Sequence, residues 1–148
     1  WQQQFDSARG YNMINPYYRK VWINGCFDIL HRGHIELFKY GKALGDELMV
    51  GLDDDGMIKR FKGDKRPYNT LQDRIEVIKS IKYVDSVCSF NSTETLYKSI
   101  EDYKPNIIVV GSDWKGKVII GKEIPDEIKY FDRVGDYSTT KILGEWWK

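Results

Sequence analysis

Histidine is nearly absent from this chain. Two stand among 148 residues, beside two cysteines and four prolines, and the formal net charge is only +1. Each scarcity excludes something. Cys26 and Cys88 stand far apart with no Cys-x-x-Cys, so neither a convincing zinc ligand set nor a disulfide scaffold is available. Two unmatched cysteines instead suit a reducing, cytoplasmic compartment. Charges of both signs are mixed along the chain, so there is no field for bulk nucleic-acid binding. No apolar run is long enough to span a bilayer. The polar and aromatic first twenty residues do not read as a signal peptide. Neither nucleic acid nor a membrane is an expected partner.

A chain of this length predicts one domain with a single good core. Residues 1–12 show no periodicity and are expected to be an extension, added or disordered, before a domain over 13–148 in which Met13 offers a native start. Five Trp and ten Tyr are many for the length, and core and interface packing accounts for most of them. A homodimer is expected.

Short apolar runs alternate with amphipathic stretches. Val21–Asn24, Leu48–Leu52, Ser86–Phe90 and Ile107–Gly111 predict buried strands. Ile35–Leu44, Leu71–Ile81 and Thr95–Tyr103 carry helical spacing, with Leu71, Ile75, Ile78 and Ile81 in one stripe. Thr70 followed by Asp73 resembles a capping box, and Gly45 is a plausible stop for the first helix. The alternation predicts an α/β fold, a Rossmann-like doubly wound parallel sheet covered on both faces. Ligands of such sheets bind beyond the carboxyl ends of the strands. Asp28 with His31, the triplet Asp53-Asp54-Asp55, and Gly111-Ser112-Asp113-Trp114 all follow predicted strand ends, and all are expected on one rim.

Both histidines fall in one window, Asn24-Gly25-Cys26-Phe27-Asp28-Ile29-Leu30-His31-Arg32-Gly33-His34, where a strand gives way to a helix. Backbone N–H groups and the positive end of the helix dipole favour an anion at such a place. Imidazole holds or loses its charge near neutral pH, so a pair of them suits a phosphate whose charge grows during reaction. A lone histidine is commonly structural. Two in four residues, beside a glycine-bearing strand exit, point to phosphoryl chemistry.

The run His31-Arg32-Gly33-His34, preceded by Gly25-Cys26-Phe27-Asp28, resembles the His-x-Gly-His motif of the nucleotidyltransferase superfamily. Tyr137-Ser138-Thr139-Thr140-Lys141-Ile142 resembles that superfamily's second motif, about a hundred residues later and in the right order. The resemblance runs from about Val21 to about Leu143. It implies attack of a substrate phosphate on the α-phosphorus of a nucleoside triphosphate with release of pyrophosphate, Mg²⁺ accompanying the triphosphate. Such a step needs positioning and positive charge more than covalent help.

The resemblance assigns roles to particular residues. His31 and His34 would donate to phosphate oxygens, while Gly33 and Gly25 would allow close backbone approach and the amides near Cys26 and Phe27 would cradle phosphate. Many relatives carry Thr where Cys26 stands, and Cys26 reads best as a small buried residue. Asp28 would steady the site. Arg60–Pro67 reads as a basic flap, mobile without ligand, whose Lys62 and Arg66 reach the phosphates. Arg74 resembles the family arginine that steadies the site, although a surface salt bridge explains it nearly as well. Asp113 would accept from a base amino group or hold Arg74, Trp114 would pack against the base or fill core, and Arg133 would support the nucleotide. Ser138 and Thr139 would cap the last helix and offer hydroxyls to the β- and γ-phosphates.

Two small members of the superfamily divide the remaining signal. Asn24–Asp28 and Lys62–Pro67 resemble the adenylyltransferase that makes ADP-heptose from heptose 1-phosphate. Asp113-Trp114-Lys115-Gly116-Lys117 and Arg133 resemble glycerol-3-phosphate cytidylyltransferase. With the base pocket expected in the second half, CTP and a small acceptor such as glycerol 3-phosphate lead, the heptose enzyme is the alternative, and a non-catalytic nucleotide-binding regulatory module stands as the reading of another class.

Overall fold

In a computed structural model, residues 15–146 are described, so the extension expected over 1–12 lies outside the described residues. The chain runs through β1 (Lys20–Gly25), α1 (Arg32–Ala43), β2 (Glu47–Asp53), α2 (Asp55–Lys62), α3 (Leu71–Lys79), β3 (Ser86–Phe90), α4 (Thr93–Tyr103), β4 (Ile107–Gly111), β5 (Glu127–Phe131) and α5 (Thr139–Trp146). The five strands form one sheet in the order β3-β2-β1-β4-β5, and every pairing is parallel.

Burial explains why β1 is central. Val21, Trp22 and Ile23 are buried at consecutive positions, which requires cover on both faces. On one face Val21, Ile23, Leu48, Val50, Leu52, Ile107 and Val109 pack with Phe38 of α1 and Ile78 of α3. On the other, Trp22 and Ile108 pack with Met57 of α2 and with Leu96, Ile100 and Tyr103 of α4. The Trp22 ring needs room in the neighbouring strand. A Cβ at Gly51 would stand 2.7 Å from Trp22 Cζ2 and 2.9 Å from Phe90 Cε1.

The expected strands and helices are present, with ends shifted by up to three residues. Thr70 accepts from the Asp73 amide as the N-cap of α3, and Gly45 follows the end of α1. Two elements were not foreseen. Residues 55–62 are helical rather than the start of a loop, so Arg60, Phe61 and Lys62 belong to α2 and the flap proper is shorter than expected. The helix forms because the Asp54 carboxylate caps it, accepting from the Met57 amide at 2.7 Å, while Met57 and Ile58 are buried. The edge strand β5 escaped notice because its charged residues alternate with apolar ones that are only half-buried.

The strand order also fixes where a ligand can sit. From β1 the chain winds outward to β3, then returns to the far side of β1 for β4 and β5. The connections leaving β1 and β4 therefore diverge, opening a crevice at their carboxyl ends. Among the described residues no helix is long and apolar enough to cross a membrane.

Candidate functional site

A cleft of about 500 Å³ occupies that crevice. Asn24 to Asp28 enter it from β1, His31, Gly33, His34 and Leu37 from the start of α1, and Lys62 and Arg66 from the end of α2 and the turn after it. Gly111, Asp113 and Trp114 come from the exit of β4, and Phe131, Arg133, Val134 and Tyr137–Thr140 from β5 and the segment leading into α5. Of the expected site residues, only Arg74 stands outside this lining.

His31 is the N-cap of α1, and its ring stacks on that of His34 with centroids 3.8 Å apart and planes 20° from parallel. Gly33 makes the stack possible, since a Cβ there would stand 3.0 Å from His31 Cε1 and Nδ1. The His31 amide donates to His34 Nδ1 at 3.4 Å. In the neutral ring that assigns the His34 proton to Nε2, leaving Nε2–H as its donor. Burial lowers the His34 pKa to about 4, helped by the neighbouring charge of His31, Lys62 and Arg133. His31 is lowered for the same first reason, with Arg133 adding to it. Its Nδ1 is buried without a partner among the described residues, an exception that native folds carry mostly at working sites. Tyr137, which the sequence reading left without a role, also stacks with His31, with centroids 6.0 Å apart and planes 18° from parallel.

The turn before this helix is strained. Phe27 adopts φ +45°, in the left-handed region, and its buried ring lies edge-on to His34 at 5.3 Å and Phe38 at 5.0 Å. A Cβ at Gly25 would stand 3.2 Å from the Phe27 ring, so Gly25, which lines the cleft, makes room for that ring. Cys26 donates its thiol to Asp53 Oδ2 at 3.2 Å. Burial, then the Asp53 charge, pushes the thiol up to about 11, which keeps it protonated and unreactive at neutral pH.

The acidic triplet does not reach the cleft. Asp53 holds Cys26, Asp54 caps α2, and Asp55 accepts from Arg74 at 2.8 Å. Because α2 begins at once after β2, local partners claim all three carboxylates. Arg74 does not pair with Asp113, and its salt bridge to Asp55 is made from a buried guanidinium rather than on the open surface. Its guanidinium is fully buried, donating to the carbonyls of Cys26 (2.8 Å), Asp53 (2.9 Å) and Asn69 (3.2 Å). It therefore ties the exits of β1 and β2 together beneath the site.

The charge balance of the cleft follows. Its two acids are paired, Asp28 with Arg66 at 3.0 Å and Asp113 with Arg133 at 3.7 Å. Lys62 is left as the cation without an acidic partner in the lining. Two helix N-termini, those of α1 and α5, open on the same space. Ser138 caps α5, accepting from the Lys141 amide at 3.0 Å. The Thr139 hydroxyl is committed elsewhere, donating to the Ile29 carbonyl at 2.9 Å, so only its backbone remains for a ligand. Helix dipoles, the Lys62 ammonium, whose nearby acid Asp53 lies outside the lining, and neutral imidazole donors make this an anion site of phosphate size and larger. Among the described residues no group of three or more His, Cys, Asp and Glu is placed to hold a metal ion.

A family model described as cytidylyltransferase-like matches residues 22–144. Among curated relatives, the bifunctional protein HldE of a Nitratiruptor species is 45% identical over 125 residues, 84% of this chain and 27% of the relative. The bifunctional protein HldE of Helicobacter pylori (strain J99) is 45% identical over 123 residues, 83% of this chain and 26% of the relative. The chain thus spans about a quarter of the length of the curated relatives it matches. Among solved structures, a lipopolysaccharide core biosynthesis protein from Thermoplasma volcanium superposes with a TM-score of 0.61 at 31% identity, covering 81% of this chain and 98% of that one.

Proposed function

The chain belongs to the cytidylyltransferase-like family, and from that premise we propose that it transfers a nucleotidyl group from a nucleoside triphosphate to a sugar phosphate, specifically adenylyl from ATP to heptose 1-phosphate, giving ADP-heptose and pyrophosphate. The observation that carries the reaction class is the stacked His31–His34 pair at a helix N-terminus, facing Lys62 across an anion-sized cleft. Similarity to the HldE proteins favours ATP and heptose 1-phosphate over CTP and glycerol 3-phosphate.

In this reading an oxygen of the acceptor phosphate attacks the α-phosphorus while the bond to the bridging oxygen of the β-phosphate breaks. His34 Nε2–H donates to the oxygens on which charge accumulates, and His31 lies beside it. Lys62 and Arg66 bind the phosphates from the α2 side. The amides at the start of α5, with Ser138 at its cap, hold the departing pyrophosphate. Magnesium would enter with the triphosphate, with its ligands mainly phosphate oxygens, since Asp28 and Asp113 are already paired.

The CTP reading keeps one observation of its own. Asp113 and Arg133 pair on the wall where the base would lie. Pyrophosphate release from each of four triphosphates, against heptose 1-phosphate and glycerol 3-phosphate, separates the cases. Fastest release with ATP and the heptose supports the proposal, and fastest release with CTP replaces it. Nucleotide binding with no turnover on any acceptor would favour a regulatory module.

A further inference from the structure

The acid of the first motif has an unexpected set of partners. The Asp28 side chain is fully buried, and its two oxygens take three N–H donors: Arg66 Nε at 3.0 Å, the Tyr68 amide at 2.7 Å and the Asn69 amide at 2.8 Å. Asn69 Nδ2 returns a fourth bond to the Asp28 carbonyl at 2.9 Å. The exit of β1 is thereby fastened to the segment between the turn after α2 and the cap of α3. A carboxylate so enclosed has its oxygens taken up by N–H donors. It holds an arginine.

We propose that Asp28 is a positioning residue that sets Arg66 as a two-pronged phosphate clamp. A guanidinium is flat and carries its donors in a fixed fork, so fixing Nε restricts where both Nη groups can point. Arg66 lines the cleft, and neither Nη makes a hydrogen bond among the described residues. Both are left for the oxygens of one phosphate. Because Asp28 neutralises the Arg66 charge, the clamp acts through shape, while Lys62 supplies the field. The inference rests on the cleft being a phosphate site, as proposed above, but not on which nucleotide or sugar is used.

The test is calorimetric titration of the full chain with inorganic pyrophosphate, comparing wild type with D28N, R66K, R66A and the D28N/R66K double variant, each checked for its melting temperature. An amide at position 28 offers one acceptor and one donor to three N–H groups, so D28N should lose about tenfold in affinity. R66K keeps the charge but not the fork, so it should lose about tenfold, and R66A, which also leaves the buried Asp28 carboxylate unpaired, at least as much. The double variant should bind no worse than R66K, because Asp28 acts through Arg66. R66K binding like wild type overturns the proposal, as do losses in D28N and R66K that multiply in the double variant. Should D28N not fold, a loss of about tenfold or more in R66K still supports the clamp, and wild-type affinity in R66K overturns it. Wild type that binds no pyrophosphate overturns both the clamp and the function. Pyrophosphate binding with the expected variant pattern, but no turnover of any triphosphate, overturns the function alone.

Discussion

The rings of His31 and His34 lie face to face at 3.8 Å, one imidazole forming a wall of the other's environment. Two charged rings at that distance would repel strongly, and the unliganded pair is neutral at pH 7, with His34 lowered to about 4. A bound triphosphate reverses the local sign and favours protonation. Nucleotide binding between pH 5 and 7 is expected to take up protons, read as a dependence of calorimetric heat on the ionisation enthalpy of the buffer. Binding without proton uptake contradicts this account of the pair.

The same shift has a consequence for folding. The folded pKa of His34 lies below its ordinary value of 6.5, so below that pH the unfolded chain binds more protons than the folded one. The contribution to stability is fully present above pH 6.5 and is lost as pH falls towards 4. Denaturation midpoints in urea should drop between pH 7 and pH 5 in wild type, and drop less in His34→Ala. Parallel drops in the two proteins would remove His34 as the cause.

His31→Ala and His34→Ala should each lower turnover about 10²- to 10³-fold, the effect of deleting one preorganised donor to developing charge. Steady-state pyrophosphate release from variants that retain cooperative melting is the measurement. Near-normal turnover in either variant would remove that histidine from the chemistry.

Arg74→Met should destabilise the protein by about 3 kcal/mol, since it strands buried carbonyls at Cys26, Asp53 and Asn69. Urea denaturation tests this, and a loss below about 1 kcal/mol would mean that the carbonyls find other donors. Survivors should show weakened nucleotide binding, because the β1 exit that Arg74 holds at the Cys26 carbonyl lines the cleft.

The sequence suggested a flap over Arg60–Pro67, and the structure narrows where such motion can reside. Lys62 ends a capped helix and Arg66 is fastened to Asp28, leaving Gly63, at φ +88°, with Asp64 and Lys65 between two fixed points. Amide exchange should be fast at residues 63–65 and slow at Tyr68 and Asn69, with triphosphate slowing only the former. Fast exchange at Tyr68 and Asn69 would show the fastening to be weak.

The fold was legible wherever one residue type dominated a segment. Runs such as Val21-Trp22-Ile23 and Ile107-Ile108-Val109 cannot be exposed, and their spacing with helical stripes leaves few arrangements besides a parallel sheet. Helix α2 was obscured because Lys59, Arg60 and Lys62 mask the pattern of Met57 and Ile58. Its signal was the Asp54 cap, read instead as part of a rim of acids. In the site, the histidines, Ser138 and the cations could be found because their chemistry is unusual at those positions. Tyr137 could not, since stacking on His31 depends on a contact that no local spacing reveals. Arg74 and Asp28 were expected to steady the site, but the groups each one holds could not be read, because a buried charge is defined by the groups around it.

One hydrogen bond closes the circuit of the chain. The Thr139 hydroxyl reaches back to the Ile29 carbonyl across 110 residues of sequence, joining the head of the last helix to the turn that precedes the histidines. During synthesis the sheet strands and their covering helices emerge in order, yet the cleft has no far wall until Tyr137–Thr140 have been made. A nascent chain can thus bury most of its core while that wall of the cleft is still missing.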